Sequence, residues 1–123
     1  MSATAVDEID NVNIVVLVGE VTSPPVSREL PSGSVVSTFD IATVTDSGRV
    51  SVPVSLEGES EIAVVGAEVC VVGIVRRRFF RSGSSVASRT EVVANAVIPV
   101  RRRAQVRKAI EKASDNLLAF LDV

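Results

Sequence analysis

The sequence predicts a mainly β domain that ends in one amphipathic helix. Hydrophobic residues make up 46% of the chain and aromatic residues only 3%, so valine dominates the apolar positions. Valine favours strands because branching at Cβ stiffens χ1 and suits a pleated surface. Apolar or alternating stretches separated by Gly, Pro and Ser fill the chain up to Pro99, and a helical period begins only after it. A chain of 123 residues is long enough for one domain with a single core.

Five strands are predicted. The first, at residues 12–21, has Gly19 near its end, where a glycine indicates a bulge or the corner of a small barrel. The other four are predicted at residues 35–43, 49–56, 69–81 and 88–100. Residues 26–34 are predicted to form a loop or an open hairpin, and residues 57–67 hold at most a short helix.

Alternation along the strands assigns the core. Phe39 shares a face with Val35 and Ile41, so it is predicted to be buried. Pro53 interrupts the third strand and indicates an edge or a bulge there. The single cysteine, Cys70, lies in an apolar run and is predicted to be a buried thiol in a cytoplasmic protein.

The C-terminal segment follows a helical period. Its apolar residues have a 4-3-4-3 spacing over residues 101–121: Val106, Ile110, Ala113, Leu117 and Phe120. We therefore expect a flexible segment at 1–11, a β domain at 12–100, and a helix at 101–123 that packs on the barrel or on a partner subunit.

Charge is distributed unevenly along the chain. The net charge is −2, but residues 1–70 carry −9 and residues 71–123 carry +7. This polarity favours either an anionic partner for one side of the protein or self-association between unlike surfaces.

The most informative stretch is VCVVGIVRRRFFRSG at residues 69–83. It starts as a buried strand, becomes basic and aromatic, and ends at a Ser-Gly turn signal. A strand of this kind can stack planar groups and hold phosphates, which is the chemistry of single-stranded nucleic-acid binding. In a strand Arg76, Arg78 and Phe80 point to one side, and Arg77, Phe79 and Arg81 point to the other.

Five short strands punctuated by glycine and interrupted between the third and fourth suggest an OB-fold, a five-stranded Greek-key barrel. Four stretches resemble the bacterial single-stranded DNA-binding protein family: NIVVLVGEV at 13–21, PVSRELPSG at 25–33, VVSTFDIAT at 35–43 and RTEVVA at 89–94. The resemblance covers residues 12–98 and depends on the order and spacing of the stretches. It implies a homo-oligomeric barrel, a dimer or tetramer, that coats single-stranded DNA in replication, recombination and repair.

The chain departs from this family in its aromatic residues. Three positions where the family has a stacking aromatic fall near Ser47, near Ser51 and at Glu57, and only Phe80 keeps one. Because each stacked base contributes about 1–3 kcal/mol, we expect weak, salt-sensitive and sequence-nonspecific binding of single-stranded DNA, with RNA as a possible ligand. The predicted contacts are Arg76, Arg78, Phe80, Arg77, Arg81, Arg28, Arg49 and Arg89.

Two other interpretations stay open. The arginines of the fourth strand can instead protect a solvated hairpin edge, and the barrel can be an assembly module without most of the nucleic-acid binding of the family. An enzyme is not expected, because the chain has no histidine or tyrosine and no P-loop, dinucleotide fingerprint or metal-ligand cluster. We also expect no cofactor, no secretory signal and no membrane span.

Overall fold

The computed structural model describes residues 11–122. The flexible segment predicted at residues 1–11 therefore lies, apart from Asn11, outside the described residues. Six strands and one helix form in chain order: β1 (Val15–Val21), β2 (Val26–Glu29), β3 (Val35–Thr45), β4 (Gly48–Glu57), β5 (Glu68–Ser82), β6 (Ser85–Pro99) and α1 (Arg103–Ala119). A short 3-10 turn, Phe120–Asp122, follows α1.

Five of the strands close into a barrel, and β2 is added to its edge. The sheet order is β1-β5-β6-β4-β3-β2, and an additional pairing between β1 and β3 closes the ring. Neighbouring strands are antiparallel except β4 and β6, which are parallel over three residue pairs. This is the strand order of an OB-fold, so the predicted fold class is confirmed: a mainly β barrel with a single C-terminal helix.

The structure differs from the sequence prediction in its connections. Residues 26–29, predicted as a loop or open hairpin, form the additional strand β2 along β3. Within the described residues 58–67 no helix forms. Pro53 pairs with Asp40 of β3 on one side, and its other side is an unpaired edge, because the β4–β6 ladder begins one residue later at Val54. The proline therefore costs no hydrogen bond in that parallel ladder.

The barrel interior is filled by small branched side chains and one aromatic ring. Phe39, Ile41 and Val54 are almost completely buried with Val69 and Val71, and the prediction that Phe39 belongs to the core is confirmed. A hydroxyl is tolerated inside because it has a partner. Ser37 donates a hydrogen bond of 2.6 Å to the carbonyl oxygen of Gly58, which offsets the cost of removing it from water.

Closure of the barrel depends on two glycines at close backbone approaches. A Cβ on Gly19 would overlap the carbonyl oxygen of Ala42, next to the β1–β3 pairing that closes the ring. A Cβ on Gly73 would overlap the carbonyl oxygen of Val93, where the β5–β6 register shifts. The sequence prediction of a corner at Gly19 therefore has a physical basis: only glycine lets the two backbones meet.

The helix α1 lies on the outer face of β5 and β6. Ala113 is its one buried residue among those described, while Ile110, Leu117 and Leu118 are exposed. On the sheet beside it, Val16 and Val18 of β1 are exposed as well. The helix thus covers only part of the apolar outer surface. No helix in the described residues is long and apolar enough to cross a membrane.

Cys70 lies on β5 and is completely buried, as the sequence predicts. Burial raises the pKa of the Cys70 thiol above its ordinary value because the charged thiolate loses its hydration.

Replacement of Gly19 by alanine should destabilise the barrel. The added methyl group overlaps backbone rather than a flexible side chain, so we expect a loss of about 1–3 kcal/mol in the free energy of unfolding. Urea unfolding followed by circular dichroism measures it. Val44→Ala, at an exposed position of β3, is the matched control and should stay within about 0.5 kcal/mol of the unmodified protein. Equal stability of Gly19→Ala and the control would show that closure does not need the glycine.

Candidate nucleic-acid interface

The strands β5 and β6 continue beyond the barrel as a two-stranded hairpin arm, residues 76–91. Pairing of β5 with β1 ends at Gly73, and pairing of β6 with β4 starts only at Val92. Residues 76–82 and 85–91 therefore pair only with each other. The arm closes at Gly83 and Ser84. A positive φ of 66° at Gly83 fits the first central position of a type II′ turn.

The root of the arm is held by an asparagine side chain. The Asn13 amide donates to the carbonyl oxygen of Val75 at 2.8 Å, and the Val75 N–H donates to Asn13 Oδ1 at 2.9 Å. The side chain thus supplies the pair of hydrogen bonds that another residue of β1 would have made. The asparagine extends the ladder by one step before the arm leaves the barrel.

An ion pair joins the two strands at the base of the arm, one residue further on. Glu91 is only 3% exposed, and its Oε2 accepts a hydrogen bond of 2.5 Å from the guanidinium of Arg76, its cross-strand partner. A buried carboxylate without a cationic partner is costly, so Arg76 compensates the charge of Glu91 where the arm leaves the barrel. Arg78 and Arg89 lie opposite each other two residues farther along the arm.

The arm and β2 form the two walls of a cleft on the outer face of the barrel. The floor is made by outward-facing residues of β3 and β4, among them Val36, Thr38 and Ser55. This is the region of an OB-fold, between the first interstrand loop and the last hairpin, that takes oligonucleotides and oligosaccharides in other proteins.

Arg78 lies across this cleft. Its side chain lines two adjoining chambers, and its guanidinium lies 5.9 Å from the centroid of the Phe80 ring, within range of a cation–π contact. The buried Nε of Arg78 has no hydrogen-bond partner among residues 11–122. A buried N–H donor without a partner is unfavourable.

The first chamber is cationic. It has a volume of about 490 Å³, and its walls include four arginines and an aromatic ring: Arg28, Arg76, Arg77, Arg78 and Phe79. Within the part of the chain that the structure describes, no acidic side chain lines it. Guanidinium groups bind phosphate through paired hydrogen bonds, so this chamber suits the phosphates of a nucleic acid.

The second chamber has mixed polarity. It has a volume of about 310 Å³ and is lined by Arg78, Arg89, Asp40 and Glu91 together with Pro24 and Pro53. The Arg89 guanidinium lies 3.5 Å from Asp40 Oδ1. This chamber therefore offers hydrogen-bond donors and acceptors side by side, with two apolar proline rings in its lining.

The structure brings together most of the predicted contact residues and separates the others. Arg28, Arg76, Arg77, Arg78 and Arg89 line the cleft. Phe80 and Arg81 lie farther along the arm and line neither chamber; Phe80 is 40% exposed. Arg49 lies at the start of β4, where it pairs with Glu20 at 3.7 Å, outside the cleft.

Two cleft residues are missing from the sequence prediction. Strict alternation places Phe79 on the side of the arm away from the ligand, but it lines the cationic chamber beside Arg78. Asp40 is not among the predicted contacts. The alternation that places Phe39 in the core points its neighbour Asp40 outward, so the signal is present in the sequence.

In the described residues, no group of three His, Cys, Asp or Glu side chains comes close enough to hold a metal ion.

Comparison with known proteins assigns no family to the chain. No protein-family model matches the chain, and no curated protein matches it significantly.

Proposed function

We propose that this protein binds single-stranded DNA in the cleft between β2 and the hairpin arm, as an accessory protein of replication, recombination or repair. The observation that carries the proposal is the convergence of Arg28, Arg76, Arg77 and Arg78 on one chamber of an OB-fold's outer face. Arg76, Arg77 and Arg78 are consecutive on β5, and Arg28 comes from β2, far away in sequence. The meeting of Arg28 with the arginines of the arm favours a binding cleft over a solvated hairpin edge.

Phosphate contacts dominate the binding in this proposal. Arg28, Arg77 and Arg78 neutralise backbone phosphates and release counterions, whereas the charge of Arg76 is compensated by Glu91, so affinity falls with salt. Stacking adds less, because the arm offers only Phe79 and Phe80 where family relatives have more platforms. The affinity is therefore modest at physiological salt. RNA shares the phosphates and the bases, and an RNA oligonucleotide belongs in the same titration.

Arg78→Ala should weaken the binding of a fluorescein-labelled oligo-dT in an anisotropy titration at low salt. The variant lacks the side chain that lies between both chambers. Its plot of log Kd against log salt should become shallower by about 0.7 for each phosphate that the variant no longer neutralises. Arg49→Ala is the matched control, because it removes the same charge from a position paired with Glu20 outside the cleft.

Two results would contradict the proposal. One is no binding by the unmodified protein up to about 100 μM, the weak end of non-specific affinities. The other is an equal decrease in affinity for Arg78→Ala and Arg49→Ala, which would mean that net charge and not the cleft determines binding.

We propose as a second function that the protein assembles with copies of itself through α1. The exposed apolar residues Ile110, Leu117 and Leu121 follow one flank of the helix, and a flank of this kind is typical of an interaction surface. Charge complementarity favours a second copy as the occupant. The helix and the residues just before it are basic at the start, with Arg103, Arg107 and Lys108, and acidic at the end, with Asp115 and Asp122.

Two such helices in antiparallel contact around a two-fold axis would place unlike charges opposite each other. An isologous contact of this kind requires a self-complementary surface, and the antiparallel arrangement also opposes the helix dipoles. The start of α1 has no acidic residue in its first turn and no side-chain cap. The carboxylates of the partner helix would supply the negative charge that the N-terminus favours.

Leu117→Glu should shift the protein toward the monomer in multi-angle light scattering. The substitution places a charge in the apolar flank, which is unfavourable once the flank is covered. Gln105→Glu introduces the same charge on another side of α1 and should leave the mass unchanged. A monomeric unmodified protein, or the same mass for both variants, would count against assembly through this flank.

A further inference from the structure

Asp40 is an acidic residue in a cleft that otherwise collects positive charge. Its side chain is 37% exposed, so its carboxylate is accessible from the second chamber. The backbone around it is held firmly. The Asp40 N–H donates to Ser23 Oγ at 2.8 Å, and its carbonyl oxygen accepts from the Thr22 N–H at 2.9 Å. The position of the carboxylate in the chamber is thus set by bonds to the segment that precedes β2.

A carboxylate in this place repels phosphate and cannot serve the backbone of a nucleic acid. It accepts hydrogen bonds and donates none. Its single ion-pair contact among the described residues is to Arg89, and at 3.5 Å that contact is long for a hydrogen bond. The Asp40 carboxylate can therefore accept further hydrogen bonds, and the N–H groups of a nucleic acid lie on the edges of its bases.

The chamber also offers a donor next to this acceptor. Arg89 and Arg78 line it, and Pro24 and Pro53 add apolar ring surface. A ligand that matches must present acceptors and adjacent donors on one planar body. Guanine does so: O6 and N7 accept from arginine, while N1–H and the N2 amino group are two neighbouring donors that a carboxylate can accept together.

We propose that the second chamber is a base subsite that prefers guanine, with Asp40 as the residue that determines the preference. This inference rests on the proposed function. Arg78 holds the phosphate of the same nucleotide in the cationic chamber, while the base enters the chamber of Asp40 and Arg89. Thymine matches poorly, because its two carbonyl oxygens flank a single N–H and would face the carboxylate. The subsite adds a local base preference to binding that phosphate contacts otherwise dominate.

The test compares short fluorescein-labelled oligo-dT strands that carry one central dG, dI or dT in anisotropy titrations with the unmodified protein. The dG strand should bind about fivefold or more tightly than the dT strand, the lower range for one good two-bond contact. Inosine lacks the N2 amino group, so the dI strand should fall between the two.

Asp40→Asn is the matching variant and is nearly isosteric. It should remove the dG advantage and leave the affinity for the dT strand equal or higher, because a negative charge leaves the cleft. Asp46→Asn is the control: it also replaces a carboxylate with an amide, but in the exposed β3–β4 turn outside both chambers. It should keep the dG advantage. A thermal unfolding midpoint for each variant shows that both are folded.

The outcomes separate this inference from the proposed function. Equal binding of the dG, dI and dT strands by the unmodified protein overturns the guanine subsite and leaves single-stranded DNA binding standing. An undiminished dG advantage in Asp40→Asn also overturns it. Failure of every strand to bind overturns the proposed function itself, and the subsite with it.

Discussion

The arrangement of the cleft depends on the ion pair between Arg76 and Glu91. A carboxylate that is 3% exposed must have a cationic partner, because the cost of removing its hydration is otherwise uncompensated. The pair lies where β6 passes from the arm to the barrel, one residue before the parallel pairing with β4 begins. The pair therefore joins the two strands at the base of the arm, two residues before the facing pair Arg78 and Arg89. Arg76 thus has a structural task in addition to lining the cationic chamber.

Neighbouring residues of one strand contribute to the barrel core and to the floor of the cleft. Inside, alternation along β3 places Phe39 and Ile41 in an apolar core, closed where the Gly19 and Ala42 backbones meet. Outside, the intervening residues of the same strand form the cleft floor and include Asp40. One strand therefore supplies core residues on one face and the cleft floor on the other, and the additional strand β2 lies along its edge and forms one wall of the cleft. One strand can contribute to both because its side chains alternate between the two faces of the sheet.

The sequence is a good guide wherever a local rule decides the structure. Valine alternation locates the five barrel strands, and glycine at position 19 locates a corner, because both depend on residues adjacent in the chain. It fails for β2, whose four residues are all exposed and carry no apolar period. It also cannot separate Arg28 from Arg49: both are isolated arginines beside strands, and only the pairing of distant strands places one in the cleft and the other against Glu20. Phe79 is missed as a cleft residue because alternation places it on the opposite side of the strand from Arg78, whereas residues of both sides line the cationic chamber.

The asparagine at the root of the arm has a consequence for the motion of the cleft. Beyond the hydrogen bonds of Asn13 to Val75, the arm has ladder partners only in its own second strand, whereas every barrel strand is paired on both edges. Segments with fewer cooperative contacts open at a lower free energy than the core of a domain, so one wall of the cleft yields while the barrel stays intact. A long polymer offers few free ends for threading. For the proposed single-stranded DNA ligand, a wall that opens would let the strand enter sideways anywhere along its length and leave in the same way.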